Sequence, residues 1–139
     1  MSAFTVDTFF FGRGIERFDG TEVLADAHLL AELGLADGMA GGLTFSTSNS
    51  QVLVDDDFDA LTAQVLVELP QALRQGRGKT IELHVANDRF DVTLQGDAVT
   101  FDFGDGRVMT EPLAEVLTAL ETAADRLTQI RAAAGTAAS

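Results

Sequence analysis

His84, Asp91 and Asp102 are the side chains of this sequence that could do acid–base chemistry as a group. Tight turns at Asn87-Asp88 and Gly96-Asp97 would place them in one row across the wet face of a sheet. An imidazole beside two carboxylates can move protons. The same row also reads as a cross-strand ion pair in which His84 relieves repulsion between the two acids. No nucleophile can be placed beside it, and an open sheet face does not exclude water.

Asp55, Asp56, Asp57 and Asp59 surround Phe58 and invite a calcium reading. An EF-hand loop begun at Asp55 needs Gly at position 60 and Glu at position 66, and Ala60 and Leu66 stand there. Acids at a helix start instead satisfy free N–H groups and complement the helix dipole. Together with Asp37 they also offer negative charge to a Lys- or Arg-rich partner. Phe9, Phe10 and Phe11 put an aromatic on both faces of one strand. Phe9 and Phe11 share a face and are candidate anchors for a partner or for a second copy in a homodimer. A strand covered on both sides gives the same pattern.

Other fragments of known motifs fail on spacing. Gly78-Lys79-Thr80 resembles the end of a phosphate-binding loop, but Leu73 occupies the first glycine position and a strand follows where a helix is required. Gly12-Arg13-Gly14 is followed by Arg17 where a dinucleotide fingerprint needs its third glycine. Ser46 to Ser50 lacks the nucleophile-elbow glycines and reads as a turn. His28 has no spaced partner, and two His without Cys make a poor metal set. No cofactor is expected.

The elements that position these residues follow from periodicity. Residues 3–11 are rich in aromatic and β-branched types and read as a strand. Residues 22–33 carry a helical apolar stripe that ends at Gly34. Residues 37–42 read as a Gly-rich connection, then 43–47 and 51–54 as two short strands. Phe58, Leu61, Val65, Leu69 and Leu73 mark a second helix near 57–75, with a kink or break at Pro70.

Residues 79–110 alternate apolar and polar through three turn signals and read as an antiparallel meander. The expected register sets Val85 against Phe90, Leu83 against Val92 and Ile81 against Leu94. It then sets Leu94 against Val99, Val92 against Phe101 and Phe90 against Phe103. Thr110-Glu111-Pro112 carries the signature of a helix start, for a last helix near 111–131. The alanine-rich 132–139 reads as a disordered tail. The expected architecture is a single α+β domain over 1–131, a meander plus N-terminal strands packed against two or three helices.

Composition limits function. The 139 residues carry a net charge of −13 and no cysteine, which excludes thiolate metal sites and cysteine nucleophiles. An acidic surface repels nucleic acid and anionic lipid, so neither is an expected partner. The first residues lack a signal-peptide pattern and no apolar run is long enough to span a bilayer, so cytoplasm is the expected compartment. Residues 1–60 hold eleven acids against two Arg, a balance of −9, while residues 61–139 balance at −4.

The expected function is a non-enzymatic, acidic protein-binding module. It is similar in general type to immunity proteins and other inhibitors that neutralise a basic partner, with no residue signature for any family. The alternatives are a secretion-chaperone-like or adaptor dimer that holds its client on apolar surface, and a small-ligand binder or enzyme built on the His84 row.

Overall fold

The structure, a computed structural model, describes residues 4–11, 17–19, 41–83 and 88–138. It has the α+β architecture expected. Among the described residues, two antiparallel four-stranded sheets are built in strand orders β2-β1-β3-β4 and β5-β6-β7-β8. The first sheet comprises β1 (Thr5–Phe11), β2 (Arg17–Asp19), β3 (Gly41–Ser46) and β4 (Gln51–Asp56). The second comprises β5 (Lys79–Leu83), β6 (Asp88–Gln95), β7 (Ala98–Asp102) and β8 (Val108–Pro112). Between them in sequence runs a helical stretch, α1 (Phe58–Thr62), a π-helical segment Ala63–Glu68, and α2 (Leu69–Arg74). The chain closes with α3 (Leu113–Ala138). The helix expected at 22–33 lies outside the described residues.

Apolar residues of one parity in each strand meet in the middle. Phe4 stacks on Phe101 with ring centres 5.4 Å apart. Phe45 touches the rings of Phe90 and Phe101 in the second sheet and of Phe103 just after β7, with centres at 5.2–5.9 Å. Val116, Leu120, Ala123, Leu127 and Ile130 form the buried stripe of α3 and join the same core. Their spacings of three and four are the helical period that the sequence shows.

Pro70 acts before its own position. It cannot donate an N–H to the carbonyl four residues back, and its ring crowds that carbonyl. The turn ahead of it is widened into π geometry, with Leu69 N–H bonding to Gln64 C=O. Pro70 then sits in the first turn of α2, where the missing donor is tolerated. The helical stretch therefore continues to Arg74.

Three boundaries differ from the sequence reading. Asp55 and Asp56 belong to β4, so Asp57 alone caps the helix, its Oδ1 accepting from Ala60 N–H at 3.2 Å. Thr110, Glu111 and Pro112 form the end of β8, and the helix starts at Leu113. Proline is compatible with that place because β8 ends the strand order of its sheet among the described residues. The last helix runs on to Ala138, through the stretch expected to be a loose tail. Alanine has the highest helix propensity, so this run extends a helix already nucleated by packing.

Thr8 is a flaw in the core. It is 1% exposed, and among the described residues its hydroxyl has no hydrogen-bond partner. Thr8→Val keeps the shape and removes the orphaned group, and is expected to stabilise the fold by about 1–2 kcal/mol. A urea midpoint that moves up at unchanged slope is the expected reading; an unchanged or lower midpoint would show that the hydroxyl is satisfied.

Candidate functional site

The polar row falls on the outer face of the second sheet, but with different members. Asp91 and Asp102 are directly opposite each other across β6 and β7, as expected. The neighbour of Asp91 on β5 is Thr80. Thr80 donates its hydroxyl to Asp91 Oδ1 at 2.8 Å. The expected turn at Asn87-Asp88 is not where the strands cross over. Asp88 already pairs with Leu83, and Ile81 pairs with Phe90 rather than with Leu94. His84 lies outside the described residues.

Asp91 and Asp102 are both exposed. Asp102 Oδ1 accepts from Gly104 N–H at 3.0 Å. Among the described residues no cation pairs with either. Two like charges opposite each other on adjacent strands oppose folding. Among the described residues, the pair thus stands exposed on the sheet face without a compensating cation.

The acidic run around Phe58 is divided. Asp55, Asp57 and Asp59 are exposed, and Asp56 is half-buried. Asp57 is used as the helix cap. Asp59 accepts from Arg131 of α3 at 2.9 Å, and the Arg131 guanidinium lies 6.0 Å from the centre of the Phe58 ring. Asp37 lies outside the described residues. Phe10 faces the common core, while Phe9, on the opposite face of β1, is only 2% exposed. A side chain so buried cannot serve as an exposed anchor, which corrects the expectation for Phe9. Phe11 lies in β1, with its side chain outside the described residues.

Two contacts have no signal in the sequence because they join distant segments. Gln64, in the π-helical segment, clamps β5. Its Nε2 donates to Glu82 C=O and its Oε1 accepts from Glu82 N–H, both at 2.9 Å. The carboxamide thereby imitates a further strand and covers a sheet edge that would otherwise be open to other chains. Gln64→Ala is expected to destabilise the fold by about 1–2 kcal/mol and to make it prone to self-association. Urea unfolding and light scattering check this; identical behaviour to wild type would sink the assignment.

The second contact joins α3 to β1. Arg126 donates to Asp7 Oδ1 at 2.8 Å, with both side chains about a quarter exposed. Beside this pair, α3 and the start of β1 flank an open groove of about 570 Å³. Phe4, Thr5 and Val6 form one wall, and Glu115, Thr118 and Ala119 the other.

Among the described residues no set of His, Asp and Glu gathers closely enough to hold a metal ion. Among those same residues, no helix is long and apolar enough to cross a membrane. No known family model, curated protein or solved structure matches this chain.

Proposed function

We propose that this chain is a non-enzymatic, acidic protein-binding module that engages a basic partner, in the manner of an immunity or inhibitor-type protein. The observation that supports the reading best is the Asp91 and Asp102 pair. The two carboxylates are exposed, adjacent and without a cation among the described residues. Such a pair is unfavourable for the isolated fold, and features that oppose folding concentrate at functional surfaces. A Lys or Arg from a partner would relieve the repulsion on binding, and the net charge of −13 would speed its approach.

The test is capture of partners from a lysate at low and high salt, with wild type beside an Asp91→Asn, Asp102→Asn double variant. A basic protein held at low salt, released at high salt and lost by the double variant is the expected result. The same variant should be more stable than wild type by a few tenths to about 1 kcal/mol. Retention of the same partner by the double variant would sink the role given to this pair. Absence of any salt-sensitive partner would sink the reading as a whole.

A further inference from the structure

We propose that the outer edge of β4 takes an extended, basic segment of a partner protein, which adds there as an antiparallel strand. The inference rests on the protein-binding reading and adds a contact on the first sheet.

The backbone shows which groups face that edge. In an antiparallel pair the N–H and C=O of one residue point to the same side of the strand, and that side alternates. Thr47 N–H bonds to Ser50 C=O at 2.8 Å where β3 and β4 leave their turn. The Val54 carbonyl also points toward β3, where a Cβ on Gly42 would meet its oxygen at 2.0 Å. The even-numbered residues of β4 therefore bond to β3. Gln51, Leu53 and Asp55 turn their N–H and C=O the other way. All three side chains are exposed, Leu53 at 38%. Among the described residues β4 ends the strand order of its sheet.

An open edge is the geometry in which a peptide adds as a strand, its backbone giving affinity and its alternate side chains giving specificity. Both ends of the second sheet carry a device that discourages such pairing. Gln64 clamps β5, and β8 ends in Pro112, which has no N–H to offer. The β4 edge has neither a clamp nor a proline.

Charge decides the occupant. Residues 51–59 hold Asp55, Asp56, Asp57 and Asp59 and no Lys or Arg. Arg131 is paired with Asp59, but among the described residues no cation pairs with Asp55, which stands on the edge itself. A strand laid antiparallel on β4 sets one side chain opposite Leu53 and the side chain two residues before it opposite Asp55. The matching segment therefore has a Lys or Arg, then any residue, then an apolar β-branched one. A second copy of this chain would bring the same aspartates and another net −13, and is disfavoured by repulsion.

The probe is a short fluorescent threonine peptide with lysine and valine two positions apart, lysine first, titrated into the full chain at low salt. Its counterparts carry glutamate in place of lysine, or N-methyl groups on the lysine and valine amides that would face β4. The lysine peptide is expected to bind, and N-methylation to weaken it by about tenfold or more. Leu53→Pro removes an N–H that β3 does not use and should weaken binding to a similar degree, with urea unfolding to show that the variant is folded. Asp55→Lys, at an exposed position, should reverse the preference, losing the lysine peptide and gaining the glutamate one.

Equal binding of the lysine peptide to Asp55→Lys and wild type would place it elsewhere and overturn the proposal. So would equal binding of the N-methylated peptide. A chain that is dimeric in sedimentation, and monomeric as Asp55→Lys or Leu53→Pro, would give the edge to a second copy instead. No peptide binding, while a basic partner is still captured in a salt-sensitive way, would overturn the edge assignment and leave the protein-binding reading standing.

Discussion

Phe45→Ala is expected to destabilise the protein by about 3–5 kcal/mol, the range for truncating a buried aromatic. Phe45 is fully buried near the end of β3. Its ring is the meeting point of the two sheets, in contact with Phe90, Phe101 and Phe103. Phe90 and Phe103 also touch each other, with centres 5.0 Å apart, and Phe101 stacks on Phe103. Removing one ring therefore opens a cavity bordered by three others, each of which loses contact area on one side. Domains of this kind are stable by about 5–15 kcal/mol in all, so the variant should sit near the edge of unfolding. Urea denaturation is the check, with Phe45→Leu as the companion. Leucine fills part of the space and should recover about half of the loss. A loss below about 1 kcal/mol for alanine would mean that the sheets do not share one core.

Which residues of the meander face the core was legible in the sequence, and the reason is parity; that a second sheet shares this core was not, since helices were expected to cover it. Alternation in 79–110 fixes which face is apolar, and a register error of an even number of residues leaves every side chain on its own face. Ile81 was expected opposite Leu94 and lies opposite Phe90, yet it is fully buried all the same. The second pair, β6 with β7, has the expected partners because Gly96 and Asp97 form a true two-residue turn, closed by Gln95 opposite Ala98. Gly96 takes φ 60° there, which glycine adopts freely.

The polar row was less legible than the core, since a row across a sheet depends on exact partners and not on parity. Moving β5 along β6 replaces the neighbour of Asp91 by Thr80. Local signals also competed. Thr110, Glu111 and Pro112 carry every mark of a helix start, but sheet pairing of Thr110 with Thr100 and of Pro112 with Ala98 overrides them. The groove was not legible at all. Its walls come from residues 4–7 and 114–126, and nothing in the spacing of either segment announces the other.

Gly42→Ala is expected to cost about 3 kcal/mol, at the upper end of what overpacking a well-packed site does. Gly41 and Gly42 read from sequence as the end of a Gly-rich connection, but they begin β3 and pair with Asp56 and Asp55 of β4. A Cβ on Gly42 would lie 2.0 Å from the Val54 carbonyl oxygen and 2.8 Å from the Asp55 Cα. Both are backbone atoms of a paired strand, so they cannot turn aside as a side chain can. The same Cβ would press on the Phe9 ring at 2.8 Å, and Phe9 is buried. Gly76→Ala separates this from an effect of backbone conformation. Gly76 has φ +78° but open space around it, so alanine there meets only the conformational penalty of about 1–2 kcal/mol. Gly42→Ala should therefore be clearly the worse of the two in urea unfolding. If the order is reversed, the close approach of β3 and β4 is wrong. If it holds, the glycine is what lets β4 lie tight enough to keep Asp55 in a strand and leave the capping of the helix to Asp57.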